Sequence, residues 1–171
     1  MATFPGFVSA IRLKRDEVPD FDSYPFSIPA IQRLDRLLLN PRVSFLIGEN
    51  GSGKSTLLED IAIKFGFNAE GGFFVPDEPE AALSPHRQMS ALVLMHELVK
   101  ENCQFLIATH SPILLSYPGA WIYQCSENGI ERIEYEETDH YRVTRDFLNR
   151  HTQMLKHLLR DDSDQGELEF D

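Results

Sequence analysis

The chain has 171 residues, 42% of them apolar and 25% charged, with a formal net charge of −11. That length allows one domain with a real core, the composition is that of an ordinary soluble globular protein, and no apolar run reaches the ~18–20 residues that cross a bilayer. The acidic surplus argues against a general nucleic-acid binder, which needs a basic footprint, while leaving room for a local basic patch.

The opening MATFPGFVSAIRLKRDE lacks the basic-then-apolar order of a secretory signal. Phe7–Leu13 alternates well enough for a strand, and Lys14–Glu17 follows as a charged turn. Val18 to Pro29 holds three prolines and two aspartates, so loop or edge strand is expected there. Tyr24 lies in this stretch and reads as core or edge packing in preference to an aromatic that stacks on a base.

Val43–Ile47, VSFLI, is the kind of short apolar run that fills a buried parallel strand. It leads into Gly48, Glu49, Asn50, Gly51, Ser52, Gly53, Lys54, Ser55 and Thr56, which match the Walker A pattern at every fixed position. By average residue frequencies the pattern arises by chance in about one chain of this length in two hundred. Here it also sits between a strand and a helix, as the chemistry requires. Glycines allow left-handed turns and keep side chains away from the phosphates. The helix that begins here adds its positive N-terminal end. Lys54 would reach the β- and γ-phosphates, and the Ser55 hydroxyl would ligate magnesium.

From Lys54 the apolar residues Leu57, Leu58, Ile61, Ala62 and Phe65 recur at helical spacing, and Gly66 is placed to end the helix. Phe73–Val75 reads as a second apolar strand. Asp77 and Glu78 follow at its carboxyl end, where one carboxylate can hold magnesium and the other can orient or deprotonate a water. Ser84 caps the next helix, with Pro85 at its first position. Leu92, Met95, Leu98 and Val99 form its buried stripe, which runs to about Lys100. Gln104–Ala108 is a third strand, and His110 at its end is placed to donate to a phosphate or a water. Ligands in open α/β sheets bind at these carboxyl ends.

Trp121–Cys125 and Ile130–Tyr135 are two further strands, joined by a turn at Glu127–Gly129. His140 to Leu159 reads as helix, in one piece or two. Cys103 and Cys125 have no metal or redox spacing and read as buried free thiols in a reducing cytoplasm. Six acids lie in the last eleven residues, so a core over 1–160 with a solvated, disordered tail over 161–171 is expected. Setting those six aside leaves the body at about −5. The alternation of strands and helices argues for an open, largely parallel α/β sheet.

GENGSGKST (48–56), DEPEAALSP (77–85) and ATHSP (108–112), in that order, resemble the Walker A, Walker B plus D-loop, and switch-histidine motifs of ATP-binding-cassette (ABC) ATPases. The chain is most similar to the small stand-alone bacterial AAA-type ATPases of that superfamily, which share their core with structural-maintenance-of-chromosomes and OLD-type proteins. The likeness runs from about Phe7 to Leu159. It implies a three-layer P-loop NTPase fold and ATP and Mg2+ as ligands. It also implies Asp77 as the Walker B carboxylate, Glu78 as catalytic base and His110 as switch histidine. Glu80 to Ser84 would face a partner subunit, so a homodimer through the nucleotide site is implied as well.

One segment departs from that pattern. Asp77 follows Lys54 by only 23 positions, leaving no room for a glutamine-bearing Q-loop or a helical subdomain with the signature turn. Either the chain is a naturally short form, or the subdomain has been removed, or the sequence omits a segment; Gly71–Gly72 is where a junction would fall. Loss of one oriented donor costs phosphoryl transfer about 10²–10³ in rate, so slow hydrolysis is expected. The alternatives are a nucleotide-binding module without turnover and, by family analogy alone, a nucleic-acid-linked repair or defence component.

Overall fold

A computed structural model describes residues 4–65 and 72–159. The expectations for Gly66, for a junction at Gly71 and for the tail over 161–171 lie outside them. Elements follow in chain order as β1 (Ala10–Arg12), α1 (Pro29–Gln32), β2 (Arg36–Leu38), β3 (Val43–Ile47), α2 (Lys54–Phe65), β4 (Phe73–Phe74), α3 (Pro85–Lys100), β5 (Gln104–Ala108), α4 (Pro112–Leu115), β6 (Trp121–Ser126), β7 (Gly129–Ile133) and α5 (Asp139–Leu158).

Five strands form one sheet in the order β4-β5-β3-β6-β7. The first four are parallel and β7 is antiparallel to β6, so the sheet is mixed but mostly parallel. All five residues of β3 and of β5 are buried, as the continuous apolar runs required. Successive side chains on these strands feed two cores. Leu46, Leu106, Ala108 and Cys125 meet Leu57, Leu58 and Ile61 of α2 on one face. Phe45, Ile47, Phe105 and Ile107 meet Met95 and Val99 of α3 and Leu114 of α4 on the other. Helices therefore flank the sheet on both sides, which is the α/β class the alternation predicts.

Differences from expectation have local causes. The strand expected over Phe7–Leu13 shortens to β1, which pairs antiparallel with β2 in a separate two-stranded sheet. Gln104 accounts for part of the shortening. Its buried amide accepts from the Phe7 and Val8 N–H groups (2.8 and 2.9 Å) and donates to the Val8 carbonyl (2.8 Å), replacing ladder bonds there. Pro76, which would remove a donor from a central strand, follows β4 at the edge of the sheet, where proline is tolerated. It serves as an acceptor there: the Ala108 N–H donates to its carbonyl at 3.2 Å, and the Glu78 N–H donates to the Ala108 carbonyl at 2.9 Å. Pairing along β5 thus continues past proline as far as Asp77, which bridges Ala108 in parallel register.

Cys103 and Cys125 are buried and free. Burial pushes the Cys125 thiol up to about 11, which keeps it protonated and unreactive at neutral pH. No described helix is long and apolar enough to cross a membrane.

Candidate functional site

Because β4, β5 and β3 lie side by side and parallel, their carboxyl ends emerge at one edge of the sheet. The segments that follow β3 and β5, together with the Asp77–Glu78 pair beyond β4, therefore share a neighbourhood despite their distance in sequence. A cleft of about 860 Å³ opens there. Its walls include Gly48–Ser52 of the loop after β3, His110, the β6–β7 turn at Ser126–Asn128, and Asp139 and His140 at the start of α5.

The loop needs glycine at two positions for steric as well as conformational reasons. Gly48 has φ +146°, and a Cβ there would run into the Cys125 carbonyl oxygen. Gly53 has φ +97°, and its Cβ would stand 2.9 Å from Ile28 Cγ2. Both values lie where L side chains are strained. Lys54 opens α2 with only 4% of its surface exposed. Its ammonium donates to the Gly48 and Glu49 carbonyls at 2.8 and 3.1 Å, folding the loop around a buried cation. Ser52 Oγ is buried without a hydrogen-bond partner. A buried cation, a helix N-terminus and an orphaned hydroxyl on one loop form a donor set that fits an anionic oxygen ligand.

Ser55 is solvent-exposed in the first turn of α2, and Asp77 is exposed at its strand end. Neither lines the cleft, and no hydrogen bond or ion pair joins them. Among the described residues there is no group of three or more His, Cys, Asp or Glu side chains arranged to hold a metal. A magnesium ion here would depend on phosphate oxygens beside one or two protein ligands, its usual habit, and an exposed hydroxyl and carboxylate suit that use.

Glu78 and His110 are brought together. Glu78 Oε1 stands 3.3 Å from His110 Nε2, without hydrogen-bond alignment, and both side chains are partly exposed. Glu78 has left-handed backbone angles (φ 43°, ψ 53°), a strained state for a residue other than glycine. Beyond it the chain turns through a 3-10 segment, Pro79–Ala82, to Ser84, whose hydroxyl accepts from the Arg87 N–H and caps α3.

Three contacts escape the sequence reading. Glu80 Oε1 accepts from the His110 backbone N–H at 2.5 Å. His140 Nε2 lies 3.0 Å from His110 Nδ1. Burial, then the neighbouring His110, holds His140 below the usual histidine range. Tyr24 belongs neither to the core nor to a strand edge: it is 72% exposed, and its hydroxyl meets Thr56 Oγ1 at 3.0 Å. Proline and aspartate around it keep the chain irregular, so its ring is left beside the loop. The helical spacing that identifies α2 carries no signal for these long-range pairs, which link positions 30 and 32 residues apart.

Neither a scan against protein-family models nor a search of curated proteins gave a match.

Proposed function

We propose that the chain binds Mg·ATP through the loop Gly48–Thr56, as a P-loop nucleotide-binding protein of the ABC ATPase class. The observation that carries the proposal is the buried Lys54 ammonium folded under a glycine-dependent strand-to-helix turn, beside the Glu78–His110 contact. In this reading Lys54 exchanges its carbonyl partners for the β- and γ-phosphates. The loop amides and the start of α2 hold the phosphate chain, and Tyr24 marks the side from which Thr56 is approached. Bound magnesium, held by Ser55 and Asp77, would neutralise charge on the phosphate oxygens. Glu78 orients and deprotonates the attacking water. His110 donates to the γ-phosphate or to that water.

Turnover is expected to be slow, because the interval of 23 positions from Lys54 to Asp77 holds α2 and β4 and leaves no length for a signature-bearing subdomain. The same observation favours a second reading, nucleotide binding without hydrolysis. Steady-state Mg·ATP turnover measured against protein concentration, beside Glu78→Gln, separates the two. Turnover that rises more than linearly and falls at least tenfold in the variant supports hydrolysis between two copies. Turnover equal to that of the variant supports binding alone.

A further inference from the structure

Two buried scaffolds bring His110 and His140 together. On one side, Thr109 and Ser111 flank His110 and are both buried. Ser111 Oγ accepts from the Ile113 and Leu114 N–H groups and donates to Gln88 Oε1 at 2.6 Å, pinning the chain to α4 and α3. On the other, fully buried Thr138 caps α5: its hydroxyl donates to the Tyr135 carbonyl at 2.8 Å and accepts from the Tyr141 N–H at 3.2 Å. The Tyr135 hydroxyl donates to the Pro112 carbonyl at 2.8 Å, tying the start of α5 to the strand end that bears His110. The rings meet with centroids 5.2 Å apart.

Two neutral imidazoles that share a hydrogen bond place one N–H and one lone pair between them, and the neighbouring Glu78 carboxylate selects which ring donates. If His110 donated from Nδ1, its Nε2 lone pair would face the Glu78 carboxylate at 3.3 Å, which is repulsive. If His140 donates from Nε2, His110 presents Nε2–H to that carboxylate instead. His110 Nε2 and His140 Nδ1 are both buried without a hydrogen-bond partner, so either arrangement leaves one such N–H, and at His110 Nε2 it faces a carboxylate oxygen at 3.3 Å. The carboxylate thereby puts the proton of His140 on Nε2. Charges that face the pair come from three other groups as well: Glu80 before α3, Lys54 at the start of α2, and Asp139 beside His140 on α5. Burial, then the neighbouring His110 ring and the Lys54 ammonium, favours the neutral form of His140, as this arrangement requires.

We propose that His140 is a positioning residue, whose Nε2–H, donated to His110 Nδ1, holds His110 as the Nε2–H tautomer beside Glu78. The side chain that donates at the site is thus oriented from α5, through a hydrogen bond of the kind that fixes tautomers in histidine sites. Its effect on hydrolysis rests on the nucleotide reading above. The tautomer does not.

Long-range proton–nitrogen NMR of nucleotide-free, histidine-labelled protein at pH 7.5 tests this, with the rings assigned from single substitutions. The expected result is Nε2–H on both rings in the wild type. His140→Leu should move His110 to a mixture with substantial Nδ1–H, and His140→Gln, which can still donate, should restore it. A wild-type His110 protonated mainly on Nδ1 would overturn the proposal, and so would an unchanged His110 in folded His140→Leu. The wild-type spectrum decides even if the leucine variant does not fold. In turnover, kcat should fall about tenfold in His140→Leu with KM retained and recover in His140→Gln. Absent turnover in the wild type would instead count against hydrolysis and leave the tautomer result standing.

Discussion

Gly53 shows how closely the loop residues are constrained. Its positive φ and the nearby Ile28 methyl act together, so relaxing one leaves the other. Gly53→Ala should destabilise the protein by about 1–3 kcal/mol, read as a lower midpoint in urea unfolding, and should weaken any ligand that uses the loop. His140 supplies a second test at this scale. Its pKa is lowered on folding, so the unfolded chain takes up its proton first as pH falls through the ordinary value of 6.5. Below that point the wild type should therefore lose stability relative to His140→Gln, while above pH 7 the difference should be flat; denaturation curves at pH 7.5, 6.5 and 5.5 check the sign. Sequence made the glycine pattern, Lys54 and the acidic pair legible because local spacing alone defines them. The contacts that His140 and Glu80 make with His110 were not legible. A lone histidine in the first turn of a helix carries no mark of the ring it will meet, since the Tyr135–Pro112 hydrogen bond that ties the start of α5 to the end of β5 is a long-range contact.

At the scale of elements, periodicity and end signals located those with strong local codes. β3, α2 and β5 span the expected residues, and Ser84-Pro85 starts α3 as capping rules require. α5 covers the stretch expected as helix in one piece or two, and non-helical angles at Arg150 divide it. The weak elements were missed for a shared reason. β2 has three residues, and α1 and α4 have four each, too short for a period to register. Their placement comes from tertiary bonds, of which the Gln104 amide is the centre. It is 0% exposed and joins β5 to the Phe7–Val8 backbone and to the Asn40 carbonyl (2.8 Å) ahead of β3. Gln104→Leu would leave buried backbone donors and acceptors without partners. It should cost about 2–5 kcal/mol, since each such group costs ~1–3 kcal/mol, and a thermal melt would show it. A loss under 1 kcal/mol would mean that the N-terminal segment is held by packing alone.

For the whole molecule, the order β4-β5-β3 turns three separate stretches of sequence into one edge. The parallel sheet was readable from the alternation of strands and helices. The antiparallel β7 and the edge position of β4 were not, because pairing partners are set by long-range contacts that a single sequence does not display. Edge placement removes the difficulty with Pro76 and lets Asp77 extend the pairing to the mouth of the site. The account therefore stands on the loop that follows β3, the strand common to both halves of the edge. Calorimetric titration of Mg·ATP into the wild type and Lys54→Ala tests it most directly. Loss of a charge-assisted partner worth ~1.5–3 kcal/mol predicts an affinity at least tenfold weaker in the variant. Equal affinity in the two proteins would contradict the assignment of the loop, and with it the proposed site.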